Sequence, residues 1–149
     1  MKRLVCLAWA VALALSSVAL AVRAADAPTI VMANQEQFGP APAPYPSGAT
    51  IAVLSGNPST AGSQYTLRMK LPDGAKILPH THGDSENVTV LSGTLMVGLG
   101  TAWDDAHMTA LPAGSYVSIP AGTPHFAMAK GNTVLQVTGV GPASITLTK

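Results

Sequence analysis

From Thr50 onward the chain is a succession of short apolar, β-branched runs, each closed by glycine, proline, asparagine or aspartate. The runs are Thr50–Leu54, Gln64–Leu71, Glu86–Leu91, Thr94–Leu99, Tyr116–Ile119, His125–Lys130, Thr133–Val140 and Ser144–Thr148. Stretches this brief, bounded by turn residues, suit strands and are too short for helices. In one of them the alternation is explicit: Tyr65, Leu67 and Met69 are set against Gln64, Thr66, Arg68 and Lys70. No convincing amphipathic helix interrupts the pattern. The expected class is therefore all-β, and a jelly roll, in which two sheets form a small barrel able to hold a ligand cavity, accommodates such a set of strands.

Within that frame four side chains are spaced for metal chemistry. His80 and His82 stand two residues apart, so on a strand they point the same way, and a turn at Gly83-Asp84-Ser85 can swing Glu86 back beside them. A third imidazole, His125, ends the stretch that starts at Gly114 and passes through Pro120-Ala121-Gly122. Three imidazoles and one carboxylate favour a divalent first-row ion, without choosing among Fe, Mn, Ni, Cu, Co and Zn. Four protein ligands on a six-coordinate ion leave open positions for water, dioxygen or a bidentate substrate. The alternative is three unrelated histidines satisfied by local hydrogen bonds. Alternation from Glu86 puts Val88 and Val90 on the ligand face, and alternation from His125 adds Ala127 and Ala129, so the expected lining is small and apolar.

The segment from Gly74 to Gly93 reads G-x5-H-x-H-x3-E-x6-G and the segment from Gly114 to His125 reads G-x5-P-x-G-x2-H. Together they resemble the two motifs of the cupin superfamily. The resemblance runs from about Gln64 to Thr146, in the style of small secreted single-domain bacterial cupins. It implies a cupin-type jelly-roll β-barrel in which His80, His82, Glu86 and His125 are the metal ligands. Many cupins carry Asn where this chain has Ala129, which disfavours a germin-like oxalate enzyme. The scarcity of Lys and Arg near the motifs disfavours a sugar-nucleotide epimerase. What the resemblance leaves is a metal-dependent, dioxygenase-like enzyme acting on a small, weakly charged molecule. A metal-dependent lyase or isomerase, or a noncatalytic metal or small-ligand binding module, stands as the alternative, because a fold does not decide between them.

The remainder of the chain sets the context. Met1-Lys2-Arg3, an apolar run from Leu4 to Val22 broken only by Ser16 and Ser17, and the exit Val22-Arg23-Ala24 read as an export signal over residues 1–24. An uncleaved anchor is the other reading of such a run. Removal of the signal gives a periplasmic or secreted protein with no stable membrane anchoring. Residues 25–48 are rich in Ala and Pro, with Pro40, Pro42, Pro44 and Pro46 at alternate positions, and are expected to form an extended arm or linker carrying a short strand at Thr29–Met32. Residues 49–149 form the barrel domain. Without the signal, five basic residues face seven acidic ones, a net charge of −2 with no basic patch for nucleic acid. Cys6 leaves with the signal, which excludes thiolate-bound metals and cysteine catalysis. The partners expected are thus a metal ion and a small-molecule substrate, and a homodimer is compatible with the sequence. His107 and Trp103 fall in the loop between the motifs, where His107 is expected to be exposed and Trp103 to pack the loop rather than close over the cavity mouth, while Gln136 is a candidate polar pocket residue whose face the sequence does not fix.

Overall fold

The computed structural model describes residues 27–149, so the expected signal segment lies outside the described residues. In chain order the elements are β1 (Gly39–Pro40), β2 (Thr50–Ser55), β3 (Gln64–Leu71), β4 (Lys76–Thr81), β5 (Glu86–Leu99), a 3-10 turn (Asp105–His107), β6 (Thr109–Pro112), β7 (Tyr116–Ile119), β8 (His125–Val140) and β9 (Thr146–Leu147). The all-β expectation holds. Among the described residues no helix is long and apolar enough to cross a membrane.

Two long strands organise the barrel. On one side β8 pairs with β3 along Thr133–Val140 and with β4 nearer its start, where His80 lies opposite His125. On the other side it pairs with β5 from Asn87↔Thr138 to Leu99↔His125. The first half of β5 also pairs with β7 and its second half with β6. β5 and β8 therefore run through both halves of the jelly roll, and β2, with β1 beside it, extends the half that contains β3. The bend falls where β5 shifts register around Ser92, next to Gly93 at φ +74°. A Cβ at Gly93 would also lie 2.5 Å from the Asn132 carbonyl oxygen, so both conformation and space demand glycine there.

Alternate residues turn inward. Tyr65, Leu67, Met69 and Leu71 of β3 meet Val88, Val90, Leu95 and Val97 of β5 and Ala127, Ala129, Leu135 and Val137 of β8 in one core. Each fully buried Val or Leu side chain contributes about 1.5–3 kcal/mol. Phe126 faces the other way yet is fully buried. Trp103 covers it, with ring centroids 5.0 Å apart, while Lys76 Nζ lies 4.5 Å from the centroid of the Trp103 ring and Trp103 Nε1 donates to Asp105 Oδ1. Trp103 thus packs the inter-motif loop onto the barrel's outer surface, as its position in sequence predicts.

Several boundaries differ from expectation. Glu86–Leu91 and Thr94–Leu99 form one strand, as do His125–Lys130 and Thr133–Val140, because Gly93 and Gly131 bend continuous strands rather than end them. β1, β4 and β6 are additional, and Ser144–Thr148 shortens to Thr146–Leu147. Thr29–Met32 is not a strand: it has no pairing partner among the described residues, and Ile30 and Met32 are exposed.

Candidate metal centre

Three elements deliver the histidines. β4 carries His80, the chain just beyond it carries His82, and the first residue of β8 is His125. Candidate ligand atoms of the three lie within 4.8 Å of one another. Glu86, the first residue of β5, joins them, with Oε2 3.5 Å from Nε2 of both His82 and His125. The four side chains singled out by spacing are therefore neighbours around one point.

The main chain orients the rings. His80 Nδ1 lies 2.6 Å from the Leu78 carbonyl oxygen, His82 Nδ1 2.6 Å from that of Ser144, and His125 Nδ1 2.9 Å from that of Thr123. A carbonyl only accepts, so each Nδ1 carries the proton and donates, and a neutral ring is left with a bare Nε2. The Nε2 atoms of His80 and His82 are 3.1 Å apart. Two lone pairs at that separation repel unless a positive charge lies with them, so the donor set fits a cation. Imidazole nitrogens with one carboxylate oxygen suit a first-row divalent ion.

Burial and charge set the protonation states. His80 is buried, which pushes its pKa down to about 4 and keeps the ring neutral. For His82 burial acts downward as well, but the hydrogen bond and charge of Glu86 outweigh it and the net shift is upward. Burial alone would raise Glu86; its hydrogen bonds with His125 and His82 prevail and hold its carboxyl at about 2.

Two hollows adjoin the centre and share part of their walls. The inner one, about 30 Å³, is bounded by His80, His125 and Glu86 and by apolar residues that include Val88, Val97, Ile119 and Ala127. It has room for about one water molecule. The outer one, about 250 Å³, extends from His82 and Glu86 past Tyr45, Tyr65, Ile51 and Leu67 to Pro58 and Ile145. Tyr45, Met69, Glu86 and Val137 line both. Val88 and Ala127 occupy the lining as alternation predicts, and Val90 and Ala129 are buried in the core.

The remaining candidates resolve by position. Leu135 and Val137 line the interior, so Gln136 between them faces out of the barrel. His107 is exposed and paired with Asp104 at 2.6 Å, away from both hollows. Sequence reasoning missed Tyr45, Tyr65 and Ser144 as site residues. Ser144 fixes His82 through its carbonyl and accepts from the Gly83 amide with its hydroxyl. Tyr45 could have been flagged as an aromatic between two prolines; for Ser144 no local signal exists. Burial pushes both phenols up, Tyr45 with help from the Glu86 charge and Tyr65, beside Asp84, to about 12.

A jelly-roll barrel with a three-histidine centre at its interior defines a recognisable class. The family described as Cupin_2, Cupin domain, matches residues 67–141, half of the chain, and the protein belongs to the cupin family. No curated protein matches the sequence. Among solved structures, the fold is similar to the polyketide cyclase RemF from Streptomyces resistomycificus, at TM-score 0.67 and 17% identity over 79% of this chain and 83% of that one. It is similar to an acetylacetone dioxygenase from Acinetobacter johnsonii at TM-score 0.64 and 18% identity, covering 81% and 78%. KdgF from Halomonas sp. follows the same path at TM-score 0.60 and 17% identity, covering 77% and 96%. At these identities the likeness is one of fold.

Proposed function

We propose that this protein is an exported, periplasmic cupin in which His80, His82, Glu86 and His125 hold a divalent transition metal, and that it is an oxygenase-like enzyme acting on a small, weakly charged molecule. The observation that carries the reading is the convergence of the three Nε2 atoms, each ring steered by a backbone carbonyl, at the inner end of a cavity of about 250 Å³. A bound ion would supply Lewis acidity and, if redox-active, electrons for dioxygen chemistry. The chain's own residues supply the rest. Glu86 stays ionised and offers the negative charge, the carbonyls of Leu78, Thr123 and Ser144 keep the imidazoles aimed, and Val88, Ile119, Ala127 and Val137 exclude bulk water. An acetylacetone dioxygenase among the fold neighbours is consistent with such chemistry on a small molecule.

Export is read from residues 1–24 alone. Residues 25–48 are read as an arm laid on the barrel, supported by the pairing of Gly39–Pro40 with β2, an ion pair between Glu36 and Arg68, and the place of Tyr45 in the cavity wall. The function is tested by measuring the metal content of protein purified from its native compartment, then screening small molecules for turnover under air and under argon. Turnover that needs both the metal and air supports the oxygenase. Turnover that needs the metal but not air moves the assignment to a lyase or isomerase, and metal binding with no turnover leaves a binding module.

A further inference from the structure

The barrel segment matched by the family begins at residue 67, yet one wall of the cavity comes from far upstream. Turns that close with Tyr45 N donating to the Pro42 carbonyl and Ala49 N to the Pro46 carbonyl place Tyr45 against the barrel interior, and Ala41 N donates to the Ala49 carbonyl to close the loop. Tyr45 lines both hollows together with Glu86, which sets it beside the histidine centre. No hydrogen bond among the described residues uses its hydroxyl, whereas the Tyr65 hydroxyl lies at Gly139 beside the Asp84 carboxylate. A phenol near neutral pH keeps its proton and offers one donor. The rest of the outer wall is mainly aliphatic, with no lysine or arginine in the lining of either hollow. An anionic group buried there would meet Glu86, with His82 already paired to that carboxylate and no lysine or arginine to balance the added charge, which is costly.

We infer that Tyr45 is a substrate-orienting residue, and that the outer cavity takes a neutral, largely apolar molecule bearing one hydrogen-bond-accepting oxygen, directed by Tyr45 toward the histidine centre. The volume of about 250 Å³ matches roughly eight water volumes, hence a molecule of about eight to ten non-hydrogen atoms. The inference deepens the enzymatic reading and rests on it for the meaning of the word substrate. The binding it describes needs no metal.

Three probes of equal size separate the possibilities: acetophenone, a neutral ketone; α-methylstyrene, its hydrocarbon analogue; and benzoate, its anionic counterpart. Their affinities are measured by nuclear magnetic resonance titration of chelator-treated protein at pH 8, for the native chain, Tyr45→Phe and the control Tyr116→Phe, whose hydroxyl lies outside the cavity on Asn87. Acetophenone is expected to bind more tightly than the other two and to show Overhauser contacts to the Tyr45 ring. Tyr45→Phe should weaken acetophenone about threefold to tenfold, the worth of one hydrogen bond, and leave α-methylstyrene unchanged, with Tyr116→Phe altering neither. Tighter binding of benzoate, an equal loss for ketone and hydrocarbon, no loss in Tyr45→Phe, or no binding of any probe would each overturn the inference. If Tyr45→Phe lowers the melting temperature, the contacts in the native chain decide, since acetophenone must touch the Tyr45 ring. Metal titration of the same protein is scored separately, so a chain that binds the ketone through Tyr45 yet takes up no metal would sink the enzymatic reading and spare this one.

Discussion

At the scale of single residues, the centre is governed by where protons sit. His82 lies within reach of both His80 and Glu86, so His82→Ala should abolish any stabilisation that added metal confers, read as the loss of the metal-dependent shift in melting temperature. His80 gives a prediction for the metal-free protein. Its folded pKa of about 4 lies below the ordinary 6.5, so between those values the unfolded chain binds the extra proton and stability falls as pH drops. The loss attributable to His80 should reach about 3 kcal/mol by pH 4, measured as the difference in urea unfolding between the native chain and His80→Asn across pH 7 to 4. His82 has the opposite sign: its raised pKa adds stability that is complete below 6.5 and disappears as pH rises through the folded value. For that reason the His80 variant, rather than the total pH profile, is the measurement that isolates the effect.

At the scale of elements, β5 and β8 tolerate little added bulk where they cross. A Cβ at Gly98 would lie 2.2 Å from the Phe126 ring, which is fully buried beneath Trp103, so neither partner can yield cheaply. Gly98→Ala should cost about 1–3 kcal/mol in equilibrium unfolding, with Gly39→Ala, where a Cβ would meet nothing within 4 Å and φ is likewise ordinary, as the control that isolates the cost of bulk. The same elements show what could be read in advance. The strand class and the pairing of β3's alternation with the core were legible, because period-2 alternation is local; that His125 of a distant strand joins His80, His82 and Glu86 was implied only by the resemblance of the two motifs. The joining of four runs into two long strands was not legible, since Gly93 and Gly131 look like turn residues and only their partners across the sheet show that the strand continues. β4 was hidden by Pro79, which sits inside it at the register shift between Ile77 and His80 and serves only as an acceptor, from Thr148. Tyr45 escaped because its nearness to Glu86 is produced by tertiary folding across a long stretch of chain.

At the scale of the whole molecule, metal and fold are linked by mass action. An ion bound only by the folded state at a hundredfold excess over its Kd stabilises it by about 2.7 kcal/mol, which for a domain of this size raises the melting temperature on the order of 10 °C. Calorimetry with and without chelator should show that difference. Export is checked by mass spectrometry of protein recovered from the periplasm, where the expected N-terminus is Ala25; intact chain in the membrane fraction would indicate an anchor. The carbonyls of Leu78, Thr123 and Ser144 have a bearing on inheritance. Every amino acid carries a carbonyl, so a mutation at any of those three positions that leaves the backbone path intact still presents the same acceptor to the same imidazole. The aim of the histidines is thereby insulated from drift in the residues that set it. Descendants of this barrel can rewrite much of their sequence and keep a working cluster, and the changes that give them different appetites must fall on the cavity wall instead.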